Sequence, residues 1–334
     1  MLLQGPTAQI ENLTYTYDPN GNRLSFTRNA PQTVSPAVSN TNYDAANEML
    51  AFNNKILAYD QNGNLLTSTD ICGTTTYTWD ARNRLTGISG YKPDCSTLTA
   101  SFSYDALSRR SSKTINGTAT QYIYDGWDII QEIAAGAKTN YVRTLSIDEP
   151  LTRIDGATTL HYVRDALGTV VRLADDSGAS ETTYVYDAFG TSTATGETST
   201  NPFQFTGREN DGTGLYYYRA RYYSPEMQRF ISEDQIRLEG GINYYSYTQN
   251  NPVNFNDPEG NLPPPVYGVI VIGGGFVIYE LNWWWDALHP PKLELQKCHN
   301  SNPPFPKSPG GPRNFPPYQL PPPPRAPISI GIGR

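Results

Sequence analysis

An aromatic residue followed by aspartate returns along this chain at a spacing that leaves little choice of architecture. Tyr17-Asp18, Tyr43-Asp44, Tyr59-Asp60, Trp79-Asp80, Tyr104-Asp105, Tyr124-Asp125 and Tyr186-Asp187 each lead into a Gly, Asn or small residue and then a segment containing apolar residues. Arg164-Asp165 fits the same frame with its aromatic replaced. Successive aspartates lie 26, 16, 20, 25, 20, 40 and 22 residues apart, a period near twenty with one faded copy. Aspartate accepts a hydrogen bond from the backbone two residues on, Asn-Gly supplies positive φ, and the flanks alternate apolar with polar. Each unit is therefore predicted to be a strand, a tight turn and a returning strand, with the aspartates as turn formers rather than catalysts. A lone hairpin cannot bury its apolar face, so the hairpins must stack edge to edge into one curved sheet.

Composition agrees: 24 tyrosines and 28 glycines with only 17% charged residues suit strands and turns better than helices. Residues 1 to 260 carry 19 basic against 29 acidic side chains, whereas residues 261 to 334 carry 6 against 3. An acidic body argues against nucleic acid as a partner, because phosphate contacts need clustered Lys and Arg. Cys72, Cys95 and Cys298 are odd in number and lack a CxxC, so unpaired thiols are the plainer reading and a Cys72–Cys95 bridge the alternative. With His161, His289 and His299 scattered, no metal is expected, and Ile272-Gly-Gly-Gly and Gly331-Ile-Gly-Arg lack the context of a nucleotide fingerprint, so no cofactor is either. The amino-terminal stretch shows no secretory signal.

The segments RDALGTVVRLADDSG, YVYDAFG, FTGRENDGTGLYYYRARYYSPEMQRFISED and NYYSYTQNNPVNFNDPEG, together with the Tyr-Asp units, resemble the RHS/YD-repeat family, ending in its repeat-associated core domain. The likeness covers residues 12 to 260. It implies an all-β fold of spiralling stacked β-hairpins forming a shell-like sheet with a proline-rich irregular tail. The implied division is repeat hairpins over 1 to 160, the core domain over 161 to 260 and a variable tail over 261 to 334. In that family, of bacterial polymorphic toxins and toxin-complex C components, the shell encloses an effector, and the core resembles an aspartyl autoprotease cutting just after its DPxG. Carried over by motif, the catalytic residues are Asp234, Asp257 and Arg221, and the cut falls near Asn261–Leu262. The resemblance also implies export or surface association by a signal-independent route, with the chain's own tail, secretion machinery or an immunity protein as partners.

The chemistry of that trio is readable independently. Peptide hydrolysis by aspartates needs two carboxyls close enough to share a proton, one then acting as base for water and the other as acid for the leaving amide. A guanidinium beside them would hold one carboxylate ionised and orient the cleavage strand; Arg219 and Arg208 are alternatives to Arg221. The first motif departs from the family: Asp234-Gln235-Ile236-Arg237 has Gln for proline and Arg for glycine. The missing proline is expected to loosen that turn, and Arg237 to depress the carboxylate pKa values. The competing reading of the site is a plug of turns sealing the shell, with Asp257 as a turn initiator; the competing function is a non-enzymatic β-scaffold or surface-binding wall whose exposed rows of tyrosine bind glycans.

The tail is a different material, holding 17 of the 27 prolines in residues 261 to 334, and most of 287 to 334 is expected to be extended or disordered. Within it, residues 266 to 285 read as a strand pair broken at Gly273-Gly274-Gly275, or as a marginal membrane-inserting segment ending in Trp283-Trp284-Trp285. No catalytic constellation is visible beyond Asn261, which suggests a small membrane-active or partner-binding payload, or a truncated or displaced cassette.

Overall fold

The structure, a computed structural model, describes residues 2–4, 9–19, 23–28, 38, 40–237, 241–261, 266–272 and 275–281. Within them the expected hairpins are present. Sixteen strands, from Thr41–Tyr43 to Ser192–Gly196, form one antiparallel sheet in which each strand bonds to its neighbours in sequence. Among the described residues the sheet stays open, its two edge strands not bonded to each other. Leu2–Gln4, Gln9–Tyr17 and Arg23–Arg28 make a separate three-stranded sheet. The apolar segment of the tail is a hairpin, Val266–Ile272 pairing with Gly275–Leu281. Trp283 to Trp285 and the prolines of 287 to 334 lie outside the described residues. No helix among the described residues is long and apolar enough to cross a membrane.

The turn aspartates work as expected, with one addition. Asp60 Oδ1 accepts from the N–H groups of both Asn62 (2.8 Å) and Asn64 (2.9 Å), so one oxygen closes a five-residue turn. Asp44, Asp80, Asp105, Asp165 and Asp187 repeat the pair of bonds. The fourth residue of each turn has positive φ and is Asn47, Gly63, Asn83, Ser108, Gly168 or Gly190. Tyr124-Asp125 departs from this: Asp125 lies inside a strand, opposite Asp128, and the connection is only Gly126-Trp127.

The aromatic of the pair has a role its spacing did not reveal. Trp79 Nε1–H donates to the Leu65 carbonyl (2.8 Å), Tyr104 O–H to Leu85, Tyr124 O–H to Arg110 and Tyr186 O–H to Val170. Each acceptor is the fifth residue after the preceding unit's aspartate, so each of these four aromatics ties its own hairpin to the one before. A buried polar tip must find a partner, and here the partner recurs with the repeat. These tyrosines therefore face the core; among the described residues, Tyr91 is the one tyrosine in the exposed large apolar set, so the described hairpins present no exposed row of tyrosine.

Cys72 and Cys95 form a disulfide, correcting the reading of unpaired thiols. The two hairpin turns that carry them are near in space because alternate turns of a stacked hairpin array lie on the same side, with Cα atoms 5.1 Å apart. Linking residues 23 apart stabilises the chain by about 3 kcal/mol in the loop-entropy account.

The inner face of the sheet is not hollow. Met49, Phe52, Leu57, Leu65, Leu85, Ile88, Leu98 and Phe102 pack with Leu215, Tyr217, Tyr222, Met227 and Ile231 from the segment that follows the sheet. That segment holds a four-stranded sheet, Glu209–Asn210, Tyr216–Tyr218, Arg221–Ser224 and Arg229–Phe230, around an aromatic cluster of Phe205, Tyr216, Tyr218, Tyr223, Phe230 and Tyr247. Buried ion pairs fasten it to the wall. Arg110 Nη2 donates to Asp211 Oδ1 at 3.0 Å, its Nη1 also bonds Asp211, and Lys113 reaches the same carboxylate at 2.9 Å. Arg208 and Arg219 both bond Asp148.

Candidate functional site

Asp234, Asp257 and Arg221 meet. Arg221 opens the third strand of the small sheet, and its side chain is almost fully buried against Phe230, whose ring centre lies 3.7 Å from the guanidinium carbon. Its Nη2 is 2.7 Å from Asp234 Oδ2 and 3.5 Å from Asp257 Oδ2. The two carboxylate oxygens are thus no farther apart than the sum of those distances. Nη1 donates to the Tyr244 carbonyl (2.9 Å), and Nε donates to the carbonyl of Gly260. One guanidinium therefore holds both carboxylates and the chain directly after Asp257-Pro258-Glu259. The alternatives bind elsewhere: Arg208 goes to Asp148, Glu209 and the Tyr217 carbonyl, and Arg219 to Asp148 and the Pro258 carbonyl.

Both aspartates open turns of one design. Asp257 Oδ1 accepts from Gly260 N–H (2.9 Å) and Asn261 N–H (3.2 Å), and Gly260 has φ of 75°. A Cβ on Gly260 would come within 2.0 Å of the Tyr218 carbonyl, so only glycine lets this loop seat on the strand beneath. Ala220 N–H pins the same loop through the Glu259 carbonyl (3.1 Å). Asp234 Oδ1 accepts from Ile236 N–H (3.0 Å), and Arg237 N–H returns to the Asp234 carbonyl (3.0 Å). The turn expected to loosen without its proline is formed, and Arg237, with φ of 54°, occupies the left-handed position that Gly260 occupies in the other turn. A left-handed conformation costs a non-glycine residue about 1 kcal/mol. Arg237→Gly is accordingly expected to stabilise the protein by about 1 kcal/mol in urea unfolding; a neutral or negative effect would show that the arginine side chain offsets its backbone strain.

The electrostatics also correct the expectation for Arg237. Burial pushes the Asp234 pKa above the ordinary carboxylate value, against the opposing pull of Arg221. Arg237 acts instead on Glu233, opposing the rise that burial causes there. Burial also lowers the Arg221 pKa although two carboxylates face it. The desolvation of this cluster outweighs its mutual attraction, as happens when few solvent dipoles remain to help. Asp234 still borders a cavity of about 540 Å³, also lined by Gln61, Asn62, Arg82 and Glu233, which is large enough to bring water to the carboxylate. The residue that sequence reasoning missed is Phe230, which packs on the guanidinium and lies in no motif that marks its partner. Arg219, weighed from sequence as a substitute for Arg221, instead holds the Pro258 carbonyl beside the site.

A sheet of stacked Tyr-Asp hairpins carrying a packed aromatic plug defines a shell-type repeat protein. The Teneurin YD-shell family profile matches residues 1–253, and the chain belongs to that family. The match takes in Arg221 and Asp234 and ends before Asp257. Over 279 residues the chain is 33% identical to the tRNA3(Ser)-specific nuclease WapA of Bacillus spizizenii, covering 80% of this chain and 11% of that protein. It is 29% identical over 235 residues to the toxin protein Tse5 of Pseudomonas aeruginosa, covering 58% of this chain and 17% of Tse5. Among solved structures, TcdB2–TccC3–Cdc42 aligns with a TM-score of 0.47 at 18% identity, over 75% of this chain and 17% of that one. The chain thus spans less than a fifth of the length of each of these proteins.

Proposed function

We propose that this chain cleaves itself just after Asp257-Pro258-Glu259-Gly260, near the Asn261–Leu262 bond, releasing the tail from a YD shell. In this reading residues 1 to 160 are repeat wall, 161 to 260 the cleaving core and 261 to 334 the released piece. The observation that carries it is the convergence of Asp234, Asp257 and the Gly260 carbonyl on the single guanidinium of Arg221. The Gly260 carbonyl is held by the guanidinium that also faces both carboxyls, which supports the reading because little orientation entropy would remain to be lost. One carboxylate takes a proton from water as the hydroxyl adds to the peptide carbonyl carbon; the other carboxyl gives its proton to the departing nitrogen, and the two exchange roles. Asp234, with its raised pKa, suits the group that carries the proton at the start. Arg221 keeps the strand in place and offsets the charge that develops.

The toxin relatives support an exported or cell-surface role with the tail as effector or its remnant, and the Cys72–Cys95 bridge suits an oxidising compartment. Intact mass of the purified full chain tests the reading. Wild type is expected to split near residue 261, while Asp234→Asn and Asp257→Asn stay whole; folded wild type that remains one species would end the protease assignment. The same spectrum locates the bond, because cuts before and after Asn261 differ by one asparagine residue.

A further inference from the structure

We propose that a groove at the rim of the sheet, walled by Leu107 and Trp127, is the seat of the first residues of the chain's own tail, Leu262 to Pro265. Leu107 and Trp127 are large apolar side chains, yet 63% and 50% exposed. They lie in neighbouring turns, Leu107 after Asp105 and Trp127 between Asp125 and Asp128. Together with Ala220, Glu259 and Asn261 they bound a cavity of about 140 Å³, room for a medium apolar side chain.

The occupant follows from continuity. Asn261 forms part of the groove wall and its N–H is anchored on Asp257 at 3.2 Å, so the next residue must start at the groove. Leu262 comes next, followed by Pro263-Pro264-Pro265. Leucine suits an apolar slot. Three prolines lack N–H groups to satisfy and prefer an extended polyproline form, the shape that aromatic-walled grooves accept with little loss of entropy. The groove shares Ser108, Arg219 and Ala220 with the larger cavity that borders Asp234, so the two adjoin. The docking itself rests on chain continuity; its further role, selecting the residues that follow the cut, rests on the self-cleavage reading.

Crosslinking in the full chain tests the docking without depending on cleavage. In an Asp234→Asn, Cys298→Ser background, with the Cys72–Cys95 bridge intact, Leu107→Cys is combined with Leu262→Cys and oxidised under mild conditions. The control pairs Leu262→Cys with Ile123→Cys, on the sheet and 45% exposed. Crosslinking about tenfold faster than the control is expected for a seated tail, because docking raises the local thiol concentration; a smaller ratio overturns the docking. Trp127→Ala, at an exposed turn, is then expected to slow self-cleavage about tenfold by loosening the strand. Unchanged cleavage alongside a fast crosslink would remove the selective role only. If wild type never cleaves, the protease reading fails while the crosslink still decides the docking.

Discussion

Arg110→Met is expected to cost about 3–5 kcal/mol of stability, read as a lower urea midpoint at an unchanged slope. Arg110 has no exposed surface, and its guanidinium lies 4.2 Å from the Tyr217 ring centre while bonding Asp211 through both terminal nitrogens. Burial would raise the Asp211 pKa, but Arg110 and Lys113 together outweigh it and hold the group below the ordinary carboxylate range. The substitution leaves Asp211 buried with Lys113 alone, a charge out of water and half paired. Most of the loss belongs to that stranded carboxylate, so Asp211→Leu added to Arg110→Met should recover most of it. A loss below about 1 kcal/mol for the single variant would mean the pair does not fasten plug to wall. The depressed Asp211 pKa also gives a sign for pH: its contribution is present above the unfolded value and is lost as pH falls through the folded one.

Arg221→Met is expected to behave oppositely with pH. Without the guanidinium, Asp234 and Asp257 face each other across a buried site, and the ionised pair is costly. Asp234 already has a raised pKa, chiefly from burial, so between its unfolded and folded pKa values the folded form binds more proton than the unfolded form. A raised carboxylate pKa contributes stability below the unfolded value and loses it as pH rises through the folded value. The variant widens that gap by removing the charge that opposes burial at Asp234. Unfolding measured at pH 8 is expected to show a loss of about 3–5 kcal/mol against wild type, shrinking toward pH 4 as the carboxyls take up protons. Equal losses at both pH values would mean that the cluster is not held as buried charge. Cleavage, if present in wild type, is expected to disappear at every pH.

The hairpin array was legible because its determinants are local. Asp60 bonds Asn62 and Asn64, Gly63 adopts the left-handed form, and the alternating burial of Thr97–Tyr104 is readable from period two alone. Where the local signal was imperfect, the reading slipped: Tyr124-Asp125 matched the motif, but Gly126-Trp127 made a shorter connection. Asp234-Gln235-Ile236-Arg237 looked weakened without proline and glycine, yet the Asp234 side chain still closes the turn. An Asx bond needs only the carboxylate and a nearby N–H, so it survives changes in the residues between.

The candidate trio was named from motif and charge, but its proximity depended on tertiary structure. Arg221, Asp234 and Asp257 share one site because the small sheet folds back on itself and Gly260 permits contact with Tyr218. Nothing in a linear pattern reports how deeply such a cluster is buried, so the direction of the Asp234 pKa was out of reach: Arg237 was visible in sequence, whereas desolvation was not. Pairings between distant segments were not fixed by sequence either: the Cys72–Cys95 bridge stood only as the alternative to unpaired thiols, and nothing local marked Arg110–Asp211. By itself the sequence determined the repeating hairpin, its turn chemistry and the identity of the reactive candidates, since each depends on residues a few positions apart. Which charges meet, which are stripped of water and which loop lies beside the carboxyls were decided by packing, because those energies depend on distance and dielectric in three dimensions.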